Sequence, residues 1–158
     1  MIRAALSALV LSGFAAAADA TTITVAFSEE FAEKLEDDYG LREGTRLTEE
    51  IIEDIERELD RSGVEATRID VMILDAKPNR PTFGQLRDTP GLDPIRSISL
   101  GGMSMEGKIT HSSGAESTVE YSYFENDIRQ VVSAGTWWDA NRASRRFAKR
   151  VAEDISGQ

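Results

Sequence analysis

Cysteine is absent from all 158 residues, and histidine occurs once, at His111. The first absence rules out disulfides and lipidation at a cysteine, and together they exclude metal sites built from cysteine–histidine clusters. Positive charge is the scarcer sign, with 18 Lys and Arg against 28 Asp and Glu and a formal net charge of −10. Such a balance argues against nucleic acid and anionic membrane surfaces as partners, and it serves solubility. Proline is rare too: the four prolines all lie within one stretch, at Pro78, Pro81, Pro90 and Pro94. The one long apolar run, Ala4 to Ala17, falls short of the about 20 residues that a membrane span needs.

That run has a different reading. Arg3 supplies a positive start, Ala4 to Ala17 an apolar middle, and Ala18-Asp19-Ala20 a small-x-small cleavage site, so residues 1–20 read as a secretory signal peptide cut near Ala20. Residues 21–158 then form a single domain with one core, periplasmic or secreted and without a direct membrane anchor.

Along that domain, Thr22 to Phe27 alternates as a half-buried strand, with Ile23, Val25 and Phe27 on one face. Ser28 is placed to cap a short helix carrying Phe31 and Leu35. The carboxylates around it lack the ligand spacing of a calcium loop and read as a solvated face. Leu47, Ile51, Ile52, Ile55 and Leu59 make an apolar stripe that predicts a helix over 46–61, ended by Gly63. A strand follows over 66–75; Met72 and Leu74 add apolar character to its second face and place it inside the sheet. Residues 97–110 alternate with a slip at Gly101-Gly102, which suggests a bend or bulge in a long strand. A phosphate-binding use of that glycine pair has no supporting motif. His111 to Gly114 is a hairpin turn, and 117–124 returns as a strand with Val119, Tyr121 and Tyr123 on one side. Asp127 to Val132 reads as a helical turn. Thr136-x-x-Asp139 resembles a capping box opening a last helix, 137–155, whose buried stripe is Ala140, Ser144, Phe147, Val151 and Ile155. Its arginines and lysine would pair with the acidic helix. The sum is an α+β fold of two layers: a small, mostly antiparallel sheet on two main helices, in the order β-α-β-loop-β-β-α.

Chemistry is sparse in this pattern. His111 falls in a turn, where an exposed histidine is an ordinary turn residue, and carboxylates are plentiful without a pair spaced for acid–base work. Asp75, Asp88 and Asp93 flank or occupy the proline stretch, where aspartate ordinarily serves turn geometry. No catalytic residue, metal ligand or cofactor is expected. The proline-bearing loop, 77–96, is longer than an ordinary connection. Its donors Asn79, Arg80, Thr82 and Gln85, with Trp137 and Trp138 at the start of the last helix, are the candidate binding residues. Adjacent tryptophans cannot share a helix face, so one packs inward and the other can anchor an interface. Two readings of the loop stay open: a recognition surface, or a scaffold in which Phe83 and Leu86 plug the open end of the sheet.

The stretches RIDVMILDAKPNRPTFGQL and GGMSMEGKIT, the polar hairpin and the helix ending FAKRVAEDI resemble exported envelope proteins of Gram-negative bacteria. In element order the chain is similar to the α+β modules of the TolB amino-terminal domain, the curli-secretion channel lipoprotein and the penicillin-binding-protein activators. The resemblance covers nearly all of residues 21–155. It implies an envelope module and carries over no functional residues; the lipidated cysteine of many such modules is missing. The function expected is therefore a non-catalytic periplasmic binding or accessory module with an envelope protein as partner. A carboxylate-based hydrolase with its site around the 77–96 loop is the alternative.

Overall fold

The computed structural model describes residues 20–131 and 135–157; the expected signal peptide before Ala20 and Val132, the last residue of the expected helical turn, lie outside them. Strand β1 (Thr22–Phe27) leads through a short helix α1 (Glu29–Lys34), a π-helical turn (Leu35–Tyr39) and helix α2 (Leu41–Ser62) into β2 (Arg68–Lys77). A six-residue helix α3 (Phe83–Asp88) precedes β3 (Gly102–Thr110), β4 (Glu116–Phe124) and helix α4 (Trp138–Ser156). The sheet order is β1-β2-β3-β4. β1 and β2 run parallel, because the helices between them return the chain to the same end of the sheet. The other two pairings are antiparallel. This is the α+β, two-layer architecture that the periodicities predict.

The helices cover one face of the sheet. Ile69, Val71 and Ile73 from β2, Met103, Met105 and Ile109 from β3, Ile51 and Ile55 from α2, and Phe147 and Val151 from α4 are all essentially inaccessible. Each such side chain contributes about 1.5–3 kcal/mol relative to exposure. Gly107 lies beneath Phe147, and a Cβ there would come within 2.7 Å of the ring. The opposite face of the sheet is uncovered by any described element, and Met72 and Leu74 stay partly exposed on it although β2 is an interior strand.

Several local expectations are met. Ser28 caps α1 by accepting the Phe31 amide at 3.2 Å, Gly63 ends α2 in the left-handed conformation, and His111 to Gly114 turns the β3–β4 hairpin. Others are corrected. β3 starts only at Gly102; residues 97–101 are not strand, because Ser99 bonds to Asn79 and Pro78 instead of a neighbouring strand. His111 is buried, not exposed: its Nε2 lies 2.7 Å from Ser117 Oγ, and that hydroxyl donates to Asp154. Both partners cluster at one ring nitrogen, an arrangement that pins the hairpin to the end of α4. The α4 arginines do not pair with α2. Arg142 and Arg146 lie 5.1 and 5.0 Å from the Tyr123 ring centroid and Arg150 4.7 Å from that of Tyr121, within cation–π range.

Candidate functional site

The loop between β2 and β3 is built around Asn79, which is fully buried. Its backbone amide donates to Thr136 O at 2.7 Å, and its carbonyl accepts the Ser99 amide at 2.9 Å. Its side-chain Nδ2 donates to Asp139 Oδ2 at 2.6 Å and to Ser99 O at 3.2 Å, while its Oδ1 accepts the Asp139 amide at 2.9 Å. Asn79 thus satisfies a free amide in the first turn of α4 from across the fold. The expected capping box at Thr136 is replaced: the N-cap residue is Trp137, which makes no side-chain cap bond, and Asp139 is spent on Asn79 and Arg142. Gly101 is required beside this cluster, since a Cβ there would meet the Asn79 side chain at 2.5 Å.

The next donors are also used within the fold. Thr82 is buried and caps α3: it accepts the Gln85 amide at 3.3 Å while the Gln85 side chain accepts the Thr82 amide at 3.2 Å. Gln85 Nε2 donates to Asp38 at 3.0 Å. Gly84 packs so closely on the π-helical turn that a Cβ would come within 2.6 Å of the Asp38 carbonyl. Arg80 donates to the Ile95 carbonyl. Asp93 accepts the Ile95 and Arg96 amides at 2.8 and 2.7 Å; with Arg96 the larger cause, these donors hold its carboxyl below the ordinary range. The tryptophans divide: Trp137 is buried, its indole donating to Glu43 at 2.6 Å and its ring edge-on to Tyr39 at 5.7 Å. Trp138 remains 48% exposed.

Among the side chains that the loop and the start of α2 present outward are large apolar ones, beside the exposed Arg87, Asp88 and Arg96. Phe83 is 86% exposed, so it does not plug the sheet; Ile95 is 75% and Leu41 66% exposed. Phe83 and Leu41 flank a groove of about 610 Å³ floored by Tyr39, Gly40 and Gly84, with Glu36, Arg42, Glu43 and Arg87 around it. A second hollow of about 340 Å³ lies on the other side of Tyr39, under Pro78, Pro81 and Leu92. The structure brings Asn79 and Trp137 together at the start of α4 and sets Thr82 and Gln85 in one cap, whereas Trp138 does not line the groove. Leu41 and Phe83 were not among the sequence-derived candidates. Their signal was weak: Phe83 follows the N-cap of the Thr82-x-x-Gln85 capping pattern, which marks a helix start and not the face that Phe83 takes.

Among the described residues no group of three or more His, Asp and Glu side chains is placed to hold a metal ion. The carboxyls with shifted titration are all lowered. Arg68 lowers Asp70, Arg87 lowers Asp88, Tyr123 lowers Glu125 and Arg129 lowers Asp127. Among the described residues no helix is long and apolar enough to cross a membrane. Compared with known proteins, the chain matches no family model, and no curated protein matches it.

Proposed function

We propose that this chain is an exported, non-catalytic accessory module of the cell envelope that binds a protein partner through the groove between Leu41 and Phe83. The observation that carries the reading is the exposure of Phe83, at 86%, on a helix that is capped and packed at Thr82, Gly84 and Gln85. An aromatic side chain left in water forgoes about 1.5–3 kcal/mol of burial. Here the segment bearing it is held by a capping box, by Gln85 to Asp38 and by the close approach of Gly84 to Tyr39. A rigid aromatic beside an apolar groove loses little entropy on docking, which is the chemistry of an interface anchor. Export rests on the n-, h- and cleavage-region pattern of residues 1–20.

The test is a photo-crosslinking amino acid placed at Phe83 in the native host, with the same group at Lys108 on the far face of the sheet as control. A discrete adduct from position 83, absent from position 108 and abolished by Leu41→Ser, is the expected result. Equal adducts from both positions, or none from position 83, would overturn the assignment.

A further inference from the structure

We infer that the free edge of β1 is a second docking site, which takes up an extended, basic segment of a partner protein as a fifth strand. The two edges of the sheet differ. β4 carries Glu116 and Glu120 along its length, and the arginines of α4 lie over its tyrosines, the usual protection of an edge. β1, Thr22-Ile-Thr-Val-Ala-Phe27, has no charge, no proline and no bulge, and among the described residues nothing pairs with its outer side.

Its hydrogen-bonding groups can be assigned. Thr22 and Ser28 donate their amides to Thr67 and Ile73 of the β2 side. In a parallel pair successive residues face opposite sides, so Ile23, Val25 and Phe27 direct their N–H and C=O groups outward. The side chains of these three residues point to the helical layer yet stay half-buried, while their partners Ile69, Val71 and Ile73 are buried. The apolar layer therefore continues to the edge and stops uncovered, and an added strand would cover it with alternate apolar side chains.

Charge selects the occupant. Beside Ile23 lies a hollow of about 300 Å³ lined in part by Glu56, Asp60 and Glu65, and none of the three carboxylates has an ion-pair partner among the described residues. Ile52, Glu56 and Asp60 follow one another at i, i+4 and i+8, so they form one row along that flank of α2. A second copy of this chain would bring an identical acidic flank against it. A strand with apolar residues opposite Val25 and Phe27 and lysine or arginine opposite Ile23 fits both the edge and the charge.

The experiment measures binding of a labelled peptide alternating valine and threonine, with two lysines at one end, to the full chain. It is run beside a glutamate version and a version N-methylated on alternate amides, with hydrogen exchange read at individual amides. The expected outcome is binding of the lysine peptide weakened about tenfold or more by the glutamate swap, by N-methylation, by Glu56→Lys with Asp60→Lys, and by added salt. New exchange protection should be confined to the amides of Ile23, Val25 and Phe27. Val25→Pro, which removes an outward amide and no bond to β2, should abolish binding with the fold retained by circular dichroism; the lysine double variant tests the same site if it does not fold. Three results would overturn the proposal: no binding of the lysine peptide, amides 23, 25 and 27 already protected in the free chain, or protection that appears at Tyr39 and Gly84 instead. The last would assign the peptide to the Phe83 groove, so the two sites can fail separately.

Discussion

The loop joining β2 to β3 turns uncharged polar side chains inward and leaves its largest apolar ones outward. Inward, Asn79, Thr82 and Gln85 spend their polar groups on α4, on α3 and on the turn before α2. Outward, Phe83 and Ile95 stand in solvent. Donors that look like recognition groups in a linear reading act as fasteners, and the surface they hold in place carries exposed Phe83 and Ile95 among charged neighbours. A buried polar group costs free energy unless it is bonded, so donors concentrated on an enclosed segment are consumed by the segment's own backbone and its neighbours.

The sharpest way to break this contrast is at Asn79. Asn79→Ala removes the partner of Asp139 Oδ2 and of the Asp139 amide in the first turn of α4, a buried site where Arg142 reaches only Oδ1, and should cost about 2–4 kcal/mol in denaturant unfolding. A loss below about 0.5 kcal/mol would show that the inward side does not hold the loop. Gly84→Ala comes next. Its Cβ would meet backbone carbonyls of Asp38 and Tyr39, and the displacement should cost about 1–3 kcal/mol. Thr82→Ala removes the cap of a single short helix and should cost about 1 kcal/mol. Phe83→Ser, on the outward side, should leave the unfolding midpoint within about 0.5 kcal/mol of the parent. A large loss there would mean that the aromatic packs inward and that the two sides are not distinct.

The smallest effect is titrational. The Arg96 and Ile95 amides hold the folded pKa of Asp93 below its ordinary value of 3.8. A depressed carboxyl contributes stability above the unfolded pKa and loses it as pH falls through the folded one. On acidification below about 3.8, protection of the Ile95 and Arg96 amides relative to their intrinsic exchange rates should fall, and Asp93→Asn should show that lower protection already at neutral pH. Protection independent of pH across that range would separate this turn from the inward fastening.

Much of the fold is legible along the chain because its information is local. The alternation of Ile23, Val25 and Phe27, the stripe from Leu47 to Leu59 and the spacing of Phe147 and Val151 each state a period and a buried face. Those faces must be covered by one another, and two layers follow. The turn at His111 to Gly114 is equally local. The capping pattern at Thr82-x-x-Gln85 is local as well, yet the prolines around it read as plain loop and hide α3.

Other features depend on which distant segments meet. Periodicity places Asn79 in a proline-rich loop, but only packing brings it within 2.6 Å of Asp139 and makes it the cap of α4 in place of Thr136. His111 is a turn residue in sequence and a buried one in space, because Ser117 and Asp154 converge on it. The arginines of α4 reach the tyrosines of β4 instead of α2, since the helix crosses that hairpin. The sequence by itself determined the two layers, the four strands, the two main helices and their apolar faces, each set by side-chain period and turn chemistry, while α3 and the late start of β3 were not read from it. The tertiary structure alone decided which polar groups are satisfied and which apolar ones are left over, because hydrogen-bond partners 60 residues apart for Asn79 and Asp139 are chosen by packing and not by spacing along the chain.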